Sequence, residues 1–250
     1  MVQMVVSRIS LTSLFLLLAL TTGIVLPSCA ATPGGDAERV LVFGGTGRTG
    51  VEIVRELAAR ESKVSVFVRP TSDRAPIESC EIEFIVGDAM DYDDVAAAVA
   101  SGKFTSIISA IGKRPGQEVR PDFVANANIV RAAVAENVRR VIQISSVGAG
   151  NSRQYLGDFP AFMLPVIEAK TKAENVLIES GLDYTIIRPG GLGNGPATGK
   201  AEASEDVSIV TMSINRADLG AVTVSTLFDD TTRGKILHVY DPTLSAPRPD

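Results

Sequence analysis

Seven residues, Gly44-Gly45-Thr46-Gly47-Arg48-Thr49-Gly50, stand between an apolar run, Arg39-Val-Leu-Val-Phe43, and a segment whose apolar positions Val51, Val54, Leu57 and Ala58 share one helical face. A glycine-rich turn that leaves a buried strand and enters a helix has few physical uses. Gly44 permits a tight turn, Gly47 lets the backbone approach a pyrophosphate, and Gly50 lets the helix pack closely on the strand. The helix start supplies N–H groups and a positive dipole end to phosphate. The turn therefore predicts a dinucleotide site built from Gly44, Gly45, Thr46, Gly47, Arg48, Thr49 and Gly50. A tight turn that binds nothing is the alternative, and the agreement of the whole run speaks against it.

The alternation of strand and helix continues along the chain. Strands are predicted over Lys63–Val68, stopped by Pro70, and over Ile82–Val86, ending in Gly87-Asp88. Others follow over Phe104–Ile111, ending at Gly112, Arg140–Ile144, ending in Ser145-Ser146, Tyr184–Ile187 and Lys235–Val239. Helices are predicted over Asp94–Ala100, Asp122–Glu136, Val166–Ser180, with Gly181 as its stop, and Asp218–Leu227. Residues 113–121 and 189–213 read as loops. Strands apolar on both faces, alternating with helices, mean a parallel sheet covered on both sides. The expectation is an α/β fold, a Rossmann-type doubly wound and mostly parallel sheet, as a single domain over residues 39–250. Loops at the carboxyl ends of such strands bind the ligand, which adds Asp88, Ala89, Ala110, Ile111, Gly112 and Pro189 to the expected cofactor contacts.

An NAD site puts an acid at the end of the second strand for the ribose hydroxyls. Here Val68-Arg69-Pro70 occupies that place. Arg69 can donate to a 2′-phosphate or stack on adenine, and Arg48 can reach the same phosphate. NADP(H) is therefore expected in preference to NAD(H). Asp73, slightly later, is the residue that would spoil this argument. The Asp88 carboxylate and the next backbone N–H can face the adenine amine and ring nitrogen; a turn Asp that caps the following helix is the alternative.

Composition excludes several classes. Net charge is −5, so no nucleic-acid-binding stripe is expected. Two cysteines, Cys29 and Cys80, cannot build a disulfide framework or a Cys-rich zinc site, and the one histidine, His238, cannot build a multi-histidine metal site.

Residues 1–30 read as a leader. Arg8 is the one charge before Asp36, and an apolar run follows it with Leu14-Phe-Leu-Leu-Leu18 at its centre. Leu26-Pro-Ser-Cys29 resembles a lipoprotein box with Cys29 as the lipidated residue, while Ser28-Cys29-Ala30 also satisfies ordinary signal cleavage. An uncleaved membrane anchor is the third reading. Residues 31–38 are a polar linker. Export or membrane tethering is expected, with membrane contact only through the leader or its lipid, and a cytoplasmic location if the start is misassigned. Without residues 1–30 the net charge becomes −6, so attraction to anionic headgroups is not expected.

The motifs together resemble the atypical short-chain dehydrogenase/reductase group, close to the NmrA-like and biliverdin-IX-beta/flavin reductase-like families. The likeness covers about residues 39–245 and rests on Gly44–Gly50, Gly87-Asp88, Ser145-Ser146, Lys170-Thr-Lys172-Ala-Glu174, Ser180 to Gly190 and Ile214-Asn-Arg216-Ala-Asp218. In extended members a Tyr-x-x-x-Lys pair and an upstream Ser carry the chemistry. The resemblance places that Lys at Lys170 and that Ser at Ser146, the two catalytic candidates. The Tyr position holds Val166, which cannot transfer a proton. Lys170 would still hold the nicotinamide ribose; a solvated charge, like Lys172, is the alternative. Tyr155 reads as a wall of the substrate pocket or a replacement donor, His238 as a core residue, and Arg216 with Asp218 as a cap and an ion pair. The resemblance implies an NADP(H)-binding oxidoreductase. Its hydride would go to a small planar acceptor such as a quinone, flavin or conjugated carbonyl. A non-catalytic cofactor-dependent sensor or assembly factor is the rival, and a nucleotide-sugar epimerase or dehydratase the third reading.

The leader generates a direct expectation: residues from Met1 to Ser28 or Ala30 are missing from the native protein. Intact-mass spectrometry reads cleavage and lipidation together, and retention of Met1 refutes it.

Overall fold

A computed structural model describes residues 38–112, 120–157 and 160–244. The expected leader, its Cys29 and most of the linker lie outside the described residues. Eight strands form one sheet in the order β3-β2-β1-β4-β5-β6-β10-β8. The first half comprises β1 (Arg39–Phe43), α1 (Arg48–Ala59), β2 (Lys63–Val68), β3 (Ile82–Val86), α2 (Tyr92–Ala100) and β4 (Ser106–Ser109). The second comprises α3 (Val124–Ala135), β5 (Arg140–Ile144), α4 (Leu164–Glu179), β6 (Asp183–Pro189), β7 (Gly191–Gly193), β8 (Glu202–Ser204), β9 (Ser213–Asn215), α5 (Arg216–Leu227) and β10 (Lys235–Tyr240). From β3 to β10 all pairings in this sheet are parallel; β8 joins the β10 edge antiparallel.

The strand at the centre shows why the sheet needs cover on both faces. Residues Val40 to Phe43 are all fully buried. Side chains of a strand alternate between faces. Val40 and Val42 pack with Val51, Val54 and Leu57 of α1 and with Leu219 and Val224 of α5. Leu41 and Phe43 pack with Val95 and Val99 of α2, Ile129 of α3 and Leu177 of α4. Each face is one hydrophobic layer, and β1 serves both.

Four expectations need correction. The fourth strand is shorter than Phe104–Ile111. Phe104 plugs the core ahead of β4, while Ala110 keeps one ladder bond to the Phe43 carbonyl and then leaves the sheet. The third helix starts at Val124 and not at Asp122, for the Asp122 carbonyl accepts from the Asn126 side chain at 2.7 Å and the Asp122 side chain is buried. Residues 189–213 are not simply loop, for β7 and β8 lie inside the span and β9 starts at its end. Each has three residues, too few to show a period, and β7 pairs with β9 in a separate parallel ribbon. Arg216 and Asp218 lie inside the first turn of α5, whose N-cap is Asn215, and they form no ion pair with each other.

Beneath the sheet ends lies a buried ion pair. Arg188 of β6 donates from Nε (3.0 Å) and Nη2 (2.7 Å) to the two oxygens of Glu174 on α4, and from Nη1 to Asn151 Oδ1 at 2.8 Å. Ser145 donates to the same carboxylate. His238 stands beside Arg188 across the β6–β10 register and is fully buried. Its Nδ1 lies 2.7 Å from the Ile209 carbonyl oxygen, so that nitrogen carries the proton and donates. Burial, and then the Arg188 charge, push the imidazole below its ordinary pKa, against the pull of the Ile209 carbonyl. The folded chain resists protonation while the unfolded chain takes a proton near pH ~6.5. Stability is therefore full above that pH and lost as the pH falls through it, at up to about 1.4 kcal/mol per pH unit. Urea denaturation between pH 7.5 and 5.5 tests this: the stability advantage of the native chain over a His238→Gln variant shrinks on acidification.

Candidate functional site

Sequence order runs away from the β1–β4 pair in opposite directions across the sheet. At such a switch point the connections leave to opposite faces and a crevice opens at the strands' carboxyl ends. The glycine turn fills its floor. Gly44 has φ +78°, the left-handed region, and a Cβ there would stand 2.8 Å from the Ala110 carbonyl oxygen. At Gly50 a Cβ would stand 2.1 Å from the Gly44 carbonyl oxygen. The Gly47 N–H returns to the Gly44 carbonyl at 2.9 Å, and Val51 N–H bonds Gly47 O at 2.8 Å, which closes the first turn of α1. Gly47 is the N-cap, and no side chain caps the helix. The amides of Arg48, Thr49 and Gly50 at the helix start thus have no carbonyl a turn earlier to bond. This cradle fits a pyrophosphate: close glycine backbone, amides that a side chain does not cap, and no acid in the first turn of α1.

On the β2–β3 side of the crevice, Arg69 is the first residue beyond β2, partly exposed, in a turn closed by Ser72 N–H to its carbonyl at 3.0 Å. Asp73 accepts from the Ala75 N–H at 3.1 Å through Oδ1, at the start of the next turn. Arg74, which sequence reasoning passed over, lies 4.8 Å above the Phe84 ring. Asp88 is exposed; its Oδ1 accepts from Met90 N–H at 2.9 Å. It is not the cap of α2, a role held by Asp91, which accepts from Asp93 N–H at 2.8 Å. Asn128 of α3 holds this loop by donating to the carbonyls of Ala89 (3.1 Å) and Met90 (3.2 Å).

Where β4 and β5 leave the sheet, Lys170 is no solvated charge. It is 6% exposed, and its ammonium donates to Ile111 O at 2.7 Å and Ile144 O at 3.0 Å, joining the exits of β4 and β5. Asp122 Oδ1 lies 3.5 Å away. Desolvation pushes the Lys170 pKa down, and Asp122, followed by Glu174, opposes it. Lys172, two residues on, is exposed. Ser146 is partly exposed after β5 with its hydroxyl on the Val147 carbonyl at 3.1 Å. Its neighbour Ser145 is committed to Glu174. Val166 is one turn ahead of Lys170 on α4 and partly exposed. Pro189 ends β6, and its carbonyl takes the Val147 N–H at 3.1 Å. Tyr155, 46% exposed, closes a 3-10 turn over Gly150–Tyr155.

Asn126 also went unread in the sequence, while Arg216 and Asp218 make contacts other than the ion pair expected of them. Asn126 accepts from Ser109 Oγ at 2.6 Å and donates to the Asp122 carbonyl at 2.7 Å, which fixes the start of α3 against β4. Arg216 donates from Nη1 to Leu192 O, Gly193 O and Asn194 Oδ1, at 3.2, 3.1 and 2.6 Å. Asp218 holds the following stretch by accepting from Thr198 and Gly199 N–H groups, both at 2.9 Å. Burial first, and the Arg48 charge second, lower the Arg216 pKa.

Two clefts of about 540 and 700 Å³ open at the other pole, where the strands begin, among residues such as Arg39, Lys63 and Glu81 or Arg139, Asp183 and Arg233. Volume alone does not outweigh the glycine cradle, since neither cleft contains a helix start or a strand exit. Among the described residues no helix is long and apolar enough to cross a membrane.

The family described as NAD(P)H-binding matches residues 44–230. ChuY, an anaerobillin reductase from Escherichia coli O157:H7, superimposes with a TM-score of 0.73 at 28% identity, covering 85% of this chain and 100% of that one. A Bacillus halodurans protein described as an NAD-dependent epimerase/dehydratase gives 0.74 at 28% identity, over 84% and 97% of the two chains. A chloroplastic protein of Arabidopsis thaliana is 27% identical over 229 residues, 87% of this chain and 82% of its own.

The cradle makes a testable demand. Gly50→Ala is expected to force the helix start off the turn and to lower NAD(P)H affinity at least about tenfold, equivalent to ~1.4 kcal/mol. Fluorescence titration measures it, with circular dichroism confirming that the sheet is intact; unchanged affinity removes the turn from the binding site.

Proposed function

The chain belongs to the NAD(P)H-binding family of atypical short-chain dehydrogenase/reductases, and on that premise we propose that it is an NADP(H)-dependent reductase of a small planar acceptor, a quinone, flavin or conjugated carbonyl. The observation that carries the reading is the pairing of a buried ammonium, Lys170, with an aliphatic side chain, Val166, one helical turn earlier. Residues at this spacing share a helix face. A proton donor would belong at 166, and valine has no proton to give. Acceptors that take their proton from solvent tolerate that loss; a simple ketone does not. When bound, NADPH supplies a hydride, and the acceptor takes it up together with a proton from water.

In this reading the chain's own residues bind and orient. The amides at the start of α1 receive the pyrophosphate, Arg69 and Arg48 receive the 2′-phosphate, and Asp88 with the Ala89 amide faces the adenine. The exits of β4 and β6, at Ala110, Ile111, Gly112 and Pro189, line the crevice, and Lys170 holds the nicotinamide ribose. Ser146 is the hydroxyl that would orient an acceptor oxygen, and Tyr155, an exposed ring in the segment after β5, would wall the acceptor pocket. Similarity to a reductase supports hydride transfer. Similarity to a protein described as an epimerase/dehydratase supports the cofactor site, but that chemistry lacks its proton donor here.

NADPH is expected to bind at least tenfold more tightly than NADH, since one charge-assisted contact to the 2′-phosphate is worth ~1.5–3 kcal/mol. Arg69→Ala abolishes most of that preference. Fluorescence titration of both nucleotides, followed by absorbance of NADPH against a quinone and flavin panel, tests the proposal. Equal affinities sink the cofactor preference. Tight binding without turnover on any acceptor replaces the reductase by a cofactor-dependent sensor.

A further inference from the structure

Asp122 is 1% exposed, and among the described residues neither of its carboxylate oxygens has a hydrogen-bond partner. A buried carboxylate without hydrogen bonds is costly and persists only where charge compensates it. Two cations do so from beyond hydrogen-bond length: Lys170 Nζ at 3.5 Å and Arg120 Nη1 at 3.9 Å. We propose that Asp122 is a positioning residue which keeps Lys170 charged and aimed between the exits of β4 and β5, so that its third N–H can be offered to the nicotinamide half of the cofactor. The inference rests on the assignment of Lys170 to the cofactor and goes beyond it by naming what maintains the charge.

An ammonium has three donors. Two are spent on Ile111 O and Ile144 O. Asp122 Oδ1 stands 3.5 Å from the ammonium, longer than the ~2.7–2.9 Å of a charge-assisted hydrogen bond, so the carboxylate attracts the charge without a short bond to hold the third donor. The pair lies just under the crevice rim. A Cβ on Gly112, an exposed residue, would stand 3.5 Å from Asp122 Oδ1 and 3.9 Å from Lys170 Nζ.

Among the described residues no other acid substitutes for Asp122. Glu174, one turn further along α4, faces Lys170 too, but its oxygens are taken by Arg188 of β6 and by Ser145. His238 of β10 is neutral beside Arg188. The exits of β4 and β5 offer carbonyls only, and Arg120 adds a positive charge on the far side of Asp122. Burial alone would drive the ammonium toward the neutral amine, and Asp122 is the largest opposing influence.

Asp122→Asn keeps the shape and removes the charge. The Lys170 pKa then falls, and the amine loses its proton as pH rises. NADPH titrations of the full chain between pH 6.5 and 9 read this directly. The native protein is expected to change by less than about twofold across that range, and Asp122→Asn to lose about tenfold, recovering at the acid end. Lys170→Arg in the Asp122→Asn background flattens the profile, because a guanidinium stays charged. A merely structural Asp122 would weaken binding equally at every pH. If Asp122→Asn does not fold, Asp122→Ser carries the same charge loss and reads the same profile. A variant profile parallel to the native one, with Lys170→Ala still weakened, overturns the role of Asp122 alone. Native affinity in Lys170→Ala overturns the cofactor role of Lys170 and this proposal with it, while leaving the glycine cradle standing.

Discussion

Residue 50 has room for a hydrogen and nothing larger. The Gly44 carbonyl oxygen would be 2.1 Å from any Cβ there, so α1 begins in direct contact with the turn that leaves β1. Several features follow from that closeness. The helix start lies over the strand exit, Gly44 must take the left-handed conformation, and the Ala110–Ile111 backbone can seat against it. Widening the turn by one methyl group would move the free amides of α1 away from the β1–β4 crevice. The site is thus made by backbone proximity, and side chains contribute at its two ends.

The far end depends on a different interaction. Glu174 is gripped by Arg188 through two hydrogen bonds and by Ser145 through a third, all in the interior. A bidentate carboxylate–guanidinium pair fixes orientation as well as distance. Since Glu174 and Lys170 share α4 one turn apart, the same grip sets where the Lys170 ammonium meets the exits of β4 and β5. Breaking a buried pair by removing one partner typically costs ~3–5 kcal/mol, so this network binds the position of the site to the stability of the fold.

Much of this was legible in the sequence, for physical reasons that vary by element. β1, β2 and β5 are buried on both faces, so apolar residues dominate both faces of each run, interrupted by Ser65 in β2 and Gln143 in β5, and the glycine turn carries its geometry in its residue types. His238 was readable as core because it falls inside such a run. β7, β8 and β9 were not readable: a three-residue strand has no period, and glycines in β7 suggest a loop. Asp122 looked like an ordinary helix start, since nothing in a single sequence tells a solvated acid from one turned inward against a lysine 48 positions later. Arg216 and Asp218 were close enough in sequence to suggest a pair, but helical geometry sends residues two apart to different faces, and each instead holds part of the 192–199 segment.

Electrostatics explain how an acidic chain can serve an anionic ligand. Net charge is −5, yet Arg48, Arg69 and Arg216 have no carboxylate within ion-pair distance among the described residues. Arg48 sits at the first turn of α1, close enough to depress the proton affinity of Arg216 at the first turn of α5. Like charges beside a positive helix end concentrate field in the crevice, whatever the average over the surface. Several acids, by contrast, are engaged in turns, caps and ion pairs: Asp73, Asp88, Asp91 and Glu174. What decides ligand charge is therefore the distribution of unpaired cations along one edge of the sheet, and the overall balance of residues bears on partners of molecular size, such as nucleic acid or an anionic bilayer.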